Sequence, residues 1–173
     1  MPFQITEDVV IPVGVYRFWQ PSVRYNSDPS RRISANASYA PQRFFGGTRK
    51  DWGAGFNLRA SSRVAVQGSF NRSDVDLPGG AFVADLASAT FELALSPEMT
   101  LRSLTQYNST TDSISTNVRF NWIYSPGSDI YIAYDELRQD DFLTLDPALR
   151  HAGSVPWIQN RQLAIKMTYL LSR

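Results

Sequence analysis

Three features of the sequence predict an all-β, antiparallel fold. Apolar and polar residues alternate with period two in segment after segment, helical periodicity is nearly absent, and the prolines fall almost wholly between the alternating segments. Successive strand side chains point to opposite faces, so such alternation marks strands with one apolar face. Proline cannot donate to a ladder and therefore marks the connections. Most segments have the ~10 residues that a tilted strand needs to cross a bilayer. The specific expectation is an up-and-down transmembrane β-barrel, and about nine strands, where single-chain bacterial barrels have an even number, make 1–173 an incomplete portion of it.

The strands are expected near 13–25, 31–40, 51–60, 63–72, 82–95, 99–109, 113–124, 129–138 and 159–171. The first is irregular because it contains Pro21. In the second, Ile33, Ala35, Ala37 and Tyr39 alternate with Ser34, Asn36 and Ser38. The third sets Trp52, Ala54, Phe56 and Leu58 against Gly53, Gly55 and Asn57, and the fourth sets Val64, Val66 and Phe70 against Gln67 and Ser69. Ala87, Ala89, Phe91, Leu93 and Leu95 form the apolar face of the fifth. The sixth is weaker, with Leu101 and Tyr107 sharing a face with Ser103 and Thr105. The seventh carries Thr116, Val118, Phe120, Trp122 and Tyr124 in one row, backed by Asn117, Arg119 and Asn121. Ile132 and Tyr134 lie on the eighth, and Leu163, Ile165, Met167, Tyr169 and Leu171 alternate with Gln162, Lys166 and Thr168 on the last. Short links at 61–62, 96–98 and 125–128 fall at one end. Longer ones at 41–50, 73–81, 109–112 and 139–158 fall at the other, the asymmetry of outer-membrane barrels. In the turn "SPGS", Gly127 takes the position that needs positive φ.

The totals exclude several classes. A chain of 173 residues with 17 basic and 16 acidic side chains has a formal net charge of +1 and offers no electrostatic footprint for nucleic acid. The absence of Cys excludes disulfides and thiolate metal sites. No apolar run is long enough for a transmembrane helix. "MPFQITEDVV" lacks the basic and apolar regions of a signal peptide, so the chain either stays inside or is the tail of a longer precursor.

A soluble sandwich also alternates, but its apolar face meets a second sheet and its aromatics scatter. In a membrane barrel the apolar face meets lipid and aromatics gather at the two interfaces. With the short turns placed low, Trp122, Tyr124 and Tyr169 lie low, while Trp52, Phe70, Tyr107 and Tyr134 lie high. The small polar residues behind the apolar rows suit a wet lumen. Centring the turns on Pro97, between Thr110 and Thr111, on Gly127 and near Arg150 predicts one inward charged row: Glu92, Arg102, Arg119, Asp135 and Lys166. On a lipid face each Arg or Lys would cost about 2–4 kcal/mol at mid-depth. Two readings stand: a constriction or selectivity ring, and a network that fixes register without a ligand.

The stretches "YNSTTDSISTNVRFNWIYSPGSDIYIAYDE" and "NRQLAIKMTYLL" resemble the C-terminal end of bacterial outer-membrane proteins whose N-terminal part is a family-9-like carbohydrate-binding domain. The similarity is closest over 83–138 and 159–171 and looser over 9–72, where "VVIPVGVYRFW" is similar to a segment of those barrels. The resemblance implies that 1–173 is the C-terminal portion of a barrel of unassigned function in the bacterial outer membrane, and the role expected for it is a channel, transporter or membrane platform. It implies membrane lipid and the barrel assembly machinery as partners, and carbohydrate through an N-terminal domain missing from 1–173. Some members are labelled membrane-associated hydrolases without a secure catalytic site, so a loop-borne hydrolase is the alternative, beside a soluble sandwich or lectin-like module. The family supplies no catalytic residues to carry over. The chain ends "YLLSR" where many such barrels end on an aromatic residue.

No catalytic, metal or cofactor motif emerges from the residues. His151 is the only histidine and stands in the longest connection. Asp140, Asp141 and Asp146 could pair as carboxylates or hold Ca²⁺, although solvated loop residues have the same spacing. Asp135 and Glu136 are adjacent on one strand, point to opposite faces and cannot act on one bond. "FFGGTRKDWGAG" lacks the Lys-Ser/Thr pair of a phosphate loop, and the sequon at Asn108 means little in a bacterial protein.

Overall fold

The computed structural model describes residues 3–6, 9–11, 15, 19–139 and 157–171. Strands β1 (Phe3–Thr6) and β2 (Val9–Ile11) form a small antiparallel ladder of their own. Nine more make one sheet: β3 (Val23–Asn26), β4 (Ile33–Phe44), β5 (Gly47–Arg59), β6 (Val64–Leu77), β7 (Gly80–Ser96), β8 (Met99–Asn108), β9 (Ser113–Ser125), β10 (Ser128–Gln139) and β11 (Trp157–Thr168). Every strand pairs antiparallel with its neighbour in sequence, in the order β3 to β11. The all-β, up-and-down architecture read from the alternation is present, and no helix occurs among the described residues.

Three details differ from the sequence reading. Among the described residues of the first expected strand, ladder pairing runs over Val23–Asn26, and the Trp19 carbonyl accepts from Arg43 N–H at 3.2 Å. Pro21, lacking an N–H, stands between the two. The links expected at 41–50 and 73–81 are strand: β4–β5 and β6–β7 run on to the turns at Phe45-Gly46 and 78–79. Their polar composition misled because those residues pair with one another, Arg49 Nε donating to Asp51 Oδ1 at 2.8 Å and Ser73 Oγ donating to the same oxygen at 2.5 Å. Gly46 (φ +84°) makes the tight β4–β5 turn possible, and Gly127 has the positive φ (+75°) expected for its turn.

The alternation reverses along these elongated strands. Over most of the sheet the apolar face carries residues such as Phe56, Val66, Phe91, Phe120, Ile132 and Ile165, and the polar face carries Ser34, Asn36, Asn57, Gln67, Ser88, Thr90, Asn117 and Gln162. Beyond Tyr39, Trp52, Arg72 and Asp85 the faces exchange character. Phe44, Val75, Leu77 and Phe82 lie on what was the polar face, with Arg43, Lys50, Asp74 and Asp76 behind them. Val75 and Leu77, 4% and 7% exposed, pack there with Phe44, Phe45 and Phe82. This is the hydrophobic core cluster of the described residues, and it serves only the two hairpin tips.

Among the described residues nothing covers the main apolar face. No second sheet among the described residues packs on it, and Leu163, Ile165 and Met167 are 62–66% exposed. Left in water, each would forgo about 1.5–3 kcal/mol relative to full burial. The edge of this apolar area runs obliquely. Moving toward the elongated tips, the first charge on that face is Arg43 on β4, Lys50 on β5, Arg72 on β6, Asp85 on β7, Glu136 on β10 and Arg161 on β11. Followed through the paired residues, that boundary shifts by about eight residues, or ~27 Å of strand, across seven inter-strand spacings of ~4.8 Å. The boundary is thus inclined by about 40° to the paired rows, the inclination that strand tilt gives a level boundary in a barrel. The opposite boundary shifts the same way, from Ile33 and Leu58 through Val64, Met99 and Trp122 to Tyr169.

Within the band, Phe56 lies over its cross-strand partner Gly68. A Cβ there would come within 2.4 Å of the ring. An aromatic side chain covering a strand glycine restores contact that the glycine lacks. Gly68→Val is expected to displace Phe56 and destabilise the folded sheet by about 1–3 kcal/mol, read as a lower urea midpoint, because overpacking forces the ring off its rotamer.

Candidate functional site

The polar face offers an extended surface of hydroxyls and amides with one charged row across it. Arg59 pairs with Ala65, Ala65 with Glu92, Glu92 with Arg102, and Arg102 with Arg119. The expected Glu92–Arg102–Arg119 order is therefore present, and Arg102 Nε lies 3.2 Å from Glu92 Oε1. Asp135 and Lys166 do not join that row. Arg119 faces Ala133, and Ala133 faces Ala164. The β9–β10 turn closes at Ser125 and Ser128, and a bulge leaves Tyr124 without a partner residue, which moves the pairing by two residues. Asp135 consequently lies opposite Asn117, whose amide donates to it. Lys166 lies opposite Tyr131, toward the short-turn end. Register there follows the match of Ile130, Ile132 and Tyr134 with Met167, Ile165 and Leu163, not the length of the connecting segment.

Two grooves open on the polar face. One, of about 540 Å³, is lined by uncharged groups such as Asn36, Asn57, Gln67, Ser88 and Thr90. The other, of about 480 Å³, shares Asn57 and Gln67 and adds Arg59, Arg63, Glu92 and Arg102. The Asn57 side-chain oxygen is buried with no partner among the described residues. Sequence reasoning passed over Arg59 and Arg63. The pairing is centred on Ser62, which puts Arg59 opposite Ala65 and level with Glu92, whereas the expected two-residue link at 61–62 would have paired Arg59 with Val64 on the other face. At the turn entering β4, Ser30 donates its backbone N–H and its hydroxyl to Asp28, and these two bonds hold the Asp28 carboxyl below the usual carboxylate range.

The seven aromatics expected at membrane interfaces lie where the oblique band begins and ends. Trp52, Phe70 and Tyr134 each stand one alternate position inside the first charge of their strand, Lys50, Arg72 and Glu136, and Tyr107 shares the level of Phe70 through Ala87. Trp122 lies at the opposite boundary, opposite Met99 and Ile130, with its ring 6.1 Å from that of Tyr124. Tyr124 Oη donates to the Thr168 carbonyl at 3.1 Å, and Tyr169 follows directly on β11. Just outside the band, the Tyr134 hydroxyl and the Arg138 and Arg161 guanidiniums converge on Glu136, which is 8% exposed. This cluster was not visible in the sequence, because Arg161 reaches it across a ladder whose register no short turn fixes.

His151, Asp140, Asp141 and Asp146 lie outside the described residues. Among the described residues no group of acidic and histidine side chains could hold a metal ion. Comparison of the chain with protein-family models finds no match, and comparison with curated proteins finds none.

Proposed function

We propose that the chain is part of a transmembrane β-barrel of a bacterial outer membrane. Its apolar band faces lipid and its Asn-, Ser- and Thr-rich face lines a wet interior. In this reading the protein is a channel, transporter or membrane platform, linked to carbohydrate binding through a further N-terminal domain of the resembled family. The observation that carries the proposal is the oblique apolar band together with the reversal of alternation at its edge. A band of seven to nine residues on most strands, inclined by about 40°, projects to roughly 18–24 Å, close to the ~25 Å apolar height of outer-membrane barrels. Soluble sheets have no reason to end their apolar face along a line set by strand tilt. A soluble sandwich or lectin-like module would need a second sheet over Leu163, Ile165 and Met167.

The test is partitioning. Refolded with phospholipid vesicles, the chain is expected to float with them, to resist alkaline carbonate extraction and to be released only by detergent. A monodisperse, folded protein that stays in buffer without detergent would overturn the proposal.

A further inference from the structure

The groove at the short-turn end of the polar face has an unbalanced charge. Arg59, Arg63 and Arg102 line it, and Glu92 is its only acid. Glu92 is already bound to Arg102, and among the described residues neither Arg59 nor Arg63 has an ion pair. Arg119 adds a fourth guanidinium directly opposite Arg102, and like charges placed opposite each other on neighbouring strands repel. The nearest acid on that side, Asp135, is displaced by two residues and takes the Asn117 amide. Elsewhere on the same face Arg49 is matched by Asp51 at 2.8 Å, while Arg24 and Lys166 stand singly, and only in this groove do several arginines gather. Asn57, Gln67 and Thr100 add uncharged polar groups to the lining.

We propose that this groove binds an oxyanion, a small solute carrying phosphate or carboxylate groups. Planar guanidiniums hold such groups through paired, charge-assisted hydrogen bonds. Arg59 and Arg102 grip the anion from the two sides of the groove, Arg63 closes it at the turn, and Glu92 competes with the ligand for Arg102. A bound oxyanion adds to Glu92 in offsetting the Arg102–Arg119 repulsion. The inference rests on the barrel reading in taking this face as the wet one.

Calorimetric titration of the whole chain, folded in zwitterionic detergent micelles, decides the matter with pyrophosphate and succinate as separate probes. Saturable binding of either, weakened by added NaCl, is expected, and the tighter probe identifies the anion class. Arg59→Gln and Arg102→Gln should each weaken binding roughly tenfold, and Glu92→Gln should tighten it, because the competing carboxylate is gone. Tightening by Glu92→Gln is a result that a purely structural salt bridge does not give. Absence of saturable binding by a chain with its normal β-type circular dichroism would overturn the inference, as would binding indifferent to both Arg substitutions or weakened by Glu92→Gln. Vesicle flotation separates the two proposals: flotation without anion binding removes this inference alone, and anion binding without flotation removes the barrel.

Discussion

Arginine at both Ile132 and Ile165 is expected to abolish vesicle insertion, while arginine at Gln162 leaves it intact. Ile132 and Ile165 are cross-strand partners midway through the apolar band of β10 and β11, and Ile165 is 66% exposed. In water an exposed Ile→Arg change is close to neutral. In hydrocarbon each guanidinium costs about 2–4 kcal/mol at mid-depth, so the pair costs ~4–8 kcal/mol. That matches a large part of the ~5–15 kcal/mol that holds a typical domain together. Gln162 lies on the polar face opposite Asp135, where an arginine meets water and an opposite charge. Flotation of the three proteins side by side is the measurement. Equal flotation of the double variant and the wild-type chain would show that lipid does not cover this face.

Aspartate at Val75 is expected to melt the tips of the β4–β5 and β6–β7 hairpins and spare the rest of the sheet. Val75 is 4% exposed among Phe44, Phe45, Leu77 and Phe82, so a carboxylate there loses its hydration without gaining a partner. Burying such a charge costs several kcal/mol. The loss is limited by what the tips themselves contribute, since they can open locally while the band stays paired. Limited chymotrypsin digestion of the vesicle-bound chain reads this directly: cleavage at Phe44, Phe45 and Phe82 should become fast in Val75→Asp and stay slow in Asp76→Asn, whose side chain faces outward. Loss of flotation in Val75→Asp would mean that the tips and the band are one cooperative unit.

Much of this was legible in the sequence because a strand of period two states both its faces. Strand ends were found within a few residues wherever a link such as that at 96–98 or 61–62 punctuated them, and the first strand, expected over 13–25, was the poorest match. Glu92–Arg102–Arg119 could be placed across three strands for the same reason. What escaped was whatever turn chemistry does not fix. The β9–β10 bulge at Tyr124 has no local signature, and it carried Asp135 out of the charged row. The β10–β11 pairing is set by side chains meeting across the ladder, so neither Lys166 opposite Tyr131 nor Arg161 at Glu136 could be foreseen. The hairpin tips looked like loops because Arg43, Lys50, Asp74 and Asp76 are polar. Their alternation was intact but of opposite sign, and a reading that assumes one apolar face per strand discards it.

The outermost strands of the sheet run in the same direction. Counting from β3, which ascends, each neighbour turns the chain around, so β11 ascends as well. The two free margins thus point the same way and cannot zip together with the antiparallel hydrogen bonding used everywhere else in the sheet. Neither can two copies related by a rotation about a shared pore axis, since rotation leaves every heading unchanged. In the barrel proposed above, an antiparallel seam between β11 and β3 therefore needs an odd number of further strands, the fewest being one descending segment.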